Sequence, residues 1–127
     1  MSHSKALIID DEADICFLLG NVLKQKNYEV VNSNTLKEGR NKLQELKPEL
    51  LFLDINLPDG SSLGSIKGIR KDFPDLKIVV MSAHDGNAEK KTAIQSGANF
   101  FLSKPLSQEV IESSIEQLFE KNKEKPL

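Results

Sequence analysis

The chain has 127 residues, 39% hydrophobic and 28% charged, enough for one domain with a real core and too few for two. Seventeen basic against nineteen acidic side chains give a net charge of −2 and a pI near 5.7, which argues against nucleic acid or an anionic membrane as partner and toward a protein or a small anion. Cys16 is the single cysteine, so an intramolecular disulfide is excluded; with no signal-peptide core and no apolar run of membrane-spanning length, a cytoplasmic protein is expected.

Apolar runs and helical periods alternate along the chain. KALII at 5–9 is a short strand, and Ile15, Leu18, Leu19, Val22 and Leu23 then recur on one helix face. Cys16 falls within that helix, where a buried, inert thiol is expected. Tyr28 to Val31 forms the second strand, and Leu36, Leu43 and Leu46 mark a helix that must end before Pro48. Leu50 to Leu53 is the third strand. Leu63, Ile66, Ile69 and Phe73 stripe the third helix, which Pro74 closes and which Gly64 and Gly68 weaken by about 1 kcal/mol each relative to Ala.

The fourth strand runs from Ile78 to Met81. The helix after it, Gly86 to Ser96, has only Ala93 and Ile94 as apolar anchors, stops at Gly97, and should be the least firmly held. Phe100 to Leu102 is the fifth strand, followed by a helix striped by Val110, Ile111, Ile115, Leu118 and Phe119 and by a charged tail, KNKEKPL. Five strand-then-helix units argue for an α/β fold with a parallel sheet, because parallel neighbours need crossovers of this size. Strands such as ALII, LLFL and IVVM are apolar throughout, as expected of strands covered on both faces.

In a parallel sheet the carboxyl ends of all strands share one edge. Strand one ends on Asp10 and Asp11 with Glu12 next, strand three on Asp54, strand four on Ser82, and strand five on Ser103 and Lys104. Taken singly, each has an ordinary explanation: an aspartate as helix cap, a turn serine, a solvated lysine. Together they are harder to dismiss. Two like charges about 5 Å apart in an effective dielectric near 20 repel by roughly 3 kcal/mol, so the cluster invites a cation. Hard oxygen donors at this density suit Mg²⁺ or Mn²⁺. Beside such an ion Asp54 could act as a nucleophile toward phosphorus, with Lys104 and Ser82 binding the phosphoryl oxygens and an acyl phosphate as product.

These residues resemble the receiver domain of two-component response regulators. The likeness rests on ALIIDDE at 6–12, LFLDINLPDGSSL at 51–63, IVVMSAH at 78–84 and SGANFFLSKPL at 96–106, in the family's order and spacing. It implies a flavodoxin-like, doubly wound (βα)5 three-layer sandwich, with a parallel five-stranded sheet of order 2-1-3-4-5, over residues 1–121; 122–127 would be a tail or a cut linker. It further implies that Asp54 takes its phosphoryl group from a sensor histidine kinase or a histidine phosphotransfer protein. The metal would be held by Asp10 through water, by Asp11 and Asp54 directly, and by the backbone carbonyl of Asn56. Lys104 would pair with the phosphoryl oxygens.

Ser82 and Phe101 match the family's switch positions, through which the surface of the fourth helix, fifth strand and fifth helix would change. The resemblance also implies a cis Lys104–Pro105 bond. His84 is either a modulator of acyl-phosphate hydrolysis or an exposed loop residue, and His3 belongs to a loose end. Two departures stand out: Phe101 where Tyr is often found, and the glycines of the third helix. The expectation is a signalling domain rather than an enzyme in the usual sense. Its output would be a downstream protein, a linked effector domain or a phosphorylation-dependent homodimer. The rival readings are a degenerate receiver that only docks proteins and a flavodoxin-like nucleotide binder, the latter disfavoured because Asp10, Asp11 and Glu12 would repel a phosphate.

Overall fold

Strands that are apolar at every position can be stable only when both faces of the sheet are covered, and the chain meets this demand with helices on each side. The computed structural model describes residues 4–83 and 86–120; His3, His84 and the tail from 122 on lie outside them. Numbering only the strands of the main sheet, the order is β1 (Ser4–Ile9), α1 (Ala13–Gln25), β2 (Tyr28–Ser33), α2 (Leu36–Leu46), β3 (Leu50–Asp54), α3 (Ile66–Asp72), β4 (Lys77–Ser82), α4 (Asn87–Ser96), β5 (Phe100–Ser103) and α5 (Gln108–Glu120). The sheet is parallel throughout, in the order β2-β1-β3-β4-β5. This is the flavodoxin-like fold with the strand order expected.

Alternate strand residues serve two separate cores. Leu7, Ile9, Leu51, Leu53, Ile78 and Val80 face Leu43 of α2, Ile66 and Ile69 of α3 and Ala93 of α4. Ala6, Ile8, Leu50, Phe52, Val79 and Met81 face Leu19, Val22 and Leu23 of α1 and Ile111, Ile115 and Leu118 of α5. Nearly all of these side chains are fully buried, each worth about 1.5–3 kcal/mol relative to exposure. Gly39 lets α2 come close to the sheet, since a Cβ there would overlap the buried side chain of Ile9.

Three details depart from the sequence reading. The third helix opens as a 3-10 turn at Leu63–Ser65 before becoming α-helical, in keeping with its two glycines. Residues Asn56–Leu57 and Gly60–Ser61 pair as a small antiparallel ribbon around Pro58 and Asp59, where the sequence reading placed no strand. Ile94 and Val110, read as apolar anchors, are 42% and 43% exposed. Helix α4 is left with Ala93 as its one buried residue.

The end of α4 is fixed from outside. Gly97 has φ of +124°, and Arg70 of α3 donates to its carbonyl from Nε at 3.0 Å and Nη2 at 2.8 Å. Nη2 also donates to Asn99 Oδ1 at 2.7 Å, and that oxygen accepts the Ile78 N–H at 2.8 Å. A Cβ at Gly97 would sit 2.8–2.9 Å from the Arg70 side chain and in a backbone region that L residues rarely adopt. Gly97→Ala should therefore lower stability by about 1–3 kcal/mol, read as a lower urea midpoint with unchanged slope.

Candidate functional site

The parallel register delivers the residues singled out above to one rim. Asp54 is the last residue of β3 and pairs with Met81, so Ser82 lies one step beyond on β4, and Ser82 in turn pairs with Ser103. The backbone N–H of Lys104 donates to Ser82 O at 2.8 Å, and the Lys104–Pro105 bond is cis. On the other side of β3, the N–H of Asp10 donates to Ser33 O at 3.0 Å, which holds the exit of β1 against β2.

The rim gathers charge with little water around it. Asp10 is fully buried and Asp54 only 4% exposed, while Asp11 faces solvent. Carboxylate oxygens of Asp10, Asp11 and Asp54 all lie within 4.8 Å of one another. Into this group reaches the Lys104 ammonium, 3.0 Å from Asp10 Oδ2, 3.4 Å from Asp54 Oδ2 and 2.6 Å from Glu12 Oε1. The other Asp10 oxygen accepts the Glu12 N–H at 2.8 Å, so Asp10 does organise the entry to α1 as well as facing the site. A groove beside the ammonium is lined by Glu12, Ala13, Ile15, Ala83 and Pro105.

Electrostatics follow from burial and unequal charge. Burial, and then the charge of Asp10, push the Asp54 carboxyl up to about 6 against the opposing pull of Lys104. Asp10 is also raised, by burial, despite its bonds to the Glu12 N–H and Lys104. Burial works against the Lys104 ammonium, yet its bonds to Glu12 and Asp10 and the charges of Asp10 and Asp54 hold its pKa above the ordinary range. One cation thus serves more negative charge than it neutralises. An all-oxygen donor set with that surplus fits a hard divalent ion such as Mg²⁺ or Mn²⁺.

Other residues set the frame. The Ser62 hydroxyl, fully buried, donates to the Asp54 carbonyl at 2.7 Å, and the Ser62 N–H donates to Ile55 O at 2.8 Å. Asn56 begins the ribbon two residues after Asp54. Asp59 at the ribbon's turn accepts the N–H groups of Leu36 and Lys37 at 2.9 and 3.0 Å, which holds its carboxyl below the usual range and ties the ribbon to the start of α2. Thr35 caps the same helix by accepting the Glu38 N–H at 3.1 Å.

Ser82 is buried at the rim, and its hydroxyl donates to Glu89 Oε1 of α4 at 2.8 Å. Phe101 of β5 is half-buried against the core shared by α2, α3 and α4. Cys16 donates to the Asp10 carbonyl at 3.4 Å, and burial pushes its thiol up to about 11, so it carries no nucleophile to the site. The sequence marked Asp10, Asp11, Asp54, Ser82 and Lys104. It did not mark Ser62, Asp59 or Glu89 as contributors, and it placed Glu12 at the rim without pairing it with Lys104.

Comparison with known proteins places this geometry in context. Residues 6–116 match the family model of the response regulator receiver domain. The chain is 36% identical over 102 residues to the chemotaxis protein CheY of Thermotoga maritima, covering 80% of this chain and 85% of that protein. The beryllofluoride-activated NtrC4 receiver domain dimer superposes with a TM-score of 0.85 at 32% identity, over 92% of this chain and 97% of that one. A response regulator from Burkholderia pseudomallei, solved with a phosphorylated aspartic acid, a calcium ion and citrate, gives a TM-score of 0.80 at 26% identity over 98% and 76%. Against longer regulators that it also matches, the chain spans only 24% to 50% of their length. With its sheet order, its acidic rim and a family match over most of its length, the chain belongs to the response regulator receiver domain family.

Proposed function

We propose that this receiver domain accepts a phosphoryl group on Asp54 from a histidine kinase or histidine phosphotransfer protein and passes the signal on through the surface of α4, β5 and α5. The observation that carries the reading is the Lys104 ammonium shared between Asp10, Asp54 and Glu12 at the carboxyl rim of the sheet. The phosphorylated aspartate and the beryllofluoride activation in the two similar receivers support it.

An Asp54 carboxylate oxygen forms the new bond to phosphorus while the N–P bond of the donor phosphohistidine breaks, and the leaving imidazole keeps the electron pair and takes up a proton. Lys104 pairs with a phosphoryl oxygen, and a reoriented Ser82 hydroxyl donates to another. Asp10, Asp11, Asp54 and the Asn56 carbonyl would hold Mg²⁺ or Mn²⁺, Asp10 through water. When bound, the ion offsets the negative charge that accumulates as the phosphoryl group meets the carboxylates. Water later cleaves the acyl phosphate and returns Asp54 and inorganic phosphate. In this reading the domain works in the cytoplasm and turns over only its own modification. No helix among the described residues is long and apolar enough to cross a membrane.

With acetyl phosphate and Mg²⁺, the intact protein should gain the mass of one phosphoryl group, and Asp54→Asn should gain none. Wild type that stays unmodified with acetyl phosphate and with a competent phosphohistidine donor would instead indicate a docking module that works without phosphorylation.

The raised Asp54 carboxyl has a consequence for stability. Its ordinary value is 3.8 and its folded value about 6, so the folded state binds the proton more tightly and stability falls as pH rises through that window. The burial of Asp10 acts in the same sense. In EDTA, Asp54→Asn should therefore be more stable than wild type at pH 7 by about 1–2 kcal/mol, allowing for partial screening at the rim. The gain should vanish by about pH 3.5, below the unfolded value. Urea titrations across this range measure it, and added Mg²⁺ should narrow the gap at pH 7 by stabilising wild type preferentially.

A further inference from the structure

The two ends of α4 are held in different ways. At its carboxyl end, Arg70 grips Gly97 and Asn99 with bonds of 2.7–3.0 Å that involve no residue of the acidic rim. At its amino end no side chain among the described residues caps the helix, and across residues 87–92 Glu89 is the one residue that is not exposed. Glu89 accepts the hydroxyl proton of Ser82 at 2.8 Å, so this half of α4 is tied to the sheet through a hydroxyl that belongs to the rim.

A serine hydroxyl has one proton to donate. An ionised carboxylate and a phosphoryl oxygen are both acceptors only, so Glu89 and a phosphoryl group on Asp54 compete for the same proton. We infer that Glu89 is a positioning residue for Ser82: it holds the hydroxyl toward α4 in the resting domain, and its displacement by the phosphoryl group frees the amino half of α4 while Arg70 retains the carboxyl half. Helix α4 then pivots about Gly97 rather than shifting as a unit. The inference deepens the reading of Asp54 as phosphoryl acceptor and rests on it for the competing ligand. Because the coupling is reciprocal, loss of the Glu89 acceptor must strengthen binding of a phosphoryl group or its mimic at the rim.

The test compares wild type, Glu89→Ala, Glu89→Gln and Ser82→Ala by amide hydrogen exchange without metal, and the first three by beryllofluoride titration with Mg²⁺ followed by NMR. In Glu89→Ala and Ser82→Ala, amides of residues 87–92 should exchange about fivefold or more faster, with 94–98 unchanged. Glu89→Ala should bind beryllofluoride about 3- to 10-fold more tightly than wild type, from the loss of one hydrogen bond to a charged acceptor that is half in solvent. Glu89→Gln keeps an acceptor oxygen and should stay closer to wild type in both measurements. Loosening of α4 with no gain in beryllofluoride affinity would overturn the inference by making Glu89 a purely structural contact. Equal loosening at both ends would overturn the pivot. If wild type itself binds no beryllofluoride, the Asp54 reading falls, and the exchange pattern of the metal-free variants still decides whether Glu89 and Ser82 hold α4.

Discussion

Lys104 is where the electrostatics of this domain are balanced. Its ammonium group stands within 3.4 Å of carboxylates from two other strand ends and from the residue that enters α1. Asp10 and Asp54 have almost no contact with water, and a carboxylate in that position is tolerable only when something answers its charge. Breaking such a pair by removing one partner is far more costly than the pair is stabilising, because the remaining charge is left buried. Lys104 therefore ties the exits of β1, β3 and β5 together while leaving negative charge over. That residual negative charge destabilises the isolated fold and favours a cation at the rim.

The layers of the fold divide the labour between rigidity and movement. Around Asp54 everything is fixed: Ser62 holds its carbonyl, the Ile55 N–H donates to Met81 O at 3.0 Å, and Asp59 docks the ribbon onto α2. The α1 and α5 face is deeply packed, with Leu19, Leu23 and Ile111 fully buried. On the other face α4 contributes Ala93 and little else. In the proposed reading a change at the rim is expressed in α4, the element with the least buried surface to lose.

The elements readable from sequence were those whose burial imposes a pattern. LLFL and IVVM read as buried parallel strands because short apolar runs alternating with helix-length segments fit strands covered on both faces. The face of α1 marked by Ile15, Leu18, Leu19, Val22 and Leu23 left Phe17 aside, and it is 73% exposed. Ile94 and Val110 misled because an apolar residue in a helix stripe says nothing by itself of whether a neighbour reaches it. The carboxylates and Lys104 were legible as a group since strand ends of a parallel sheet converge. The bonds that orient them were not: Ser62 to Asp54, Asp59 to α2, Lys104 to Glu12 and Ser82 to Glu89 depend on side-chain directions in turns, which have no period to betray them.

Cys16 carries one more implication, for experiments. It is the single sulfhydryl in the protein, half-buried and held at about 11 by its surroundings. At neutral pH only about one molecule in ten thousand would present it as the thiolate that alkylating reagents attack. A cysteine introduced on an exposed face would react first, so fluorophores and spin labels can be placed one at a time without removing the native residue.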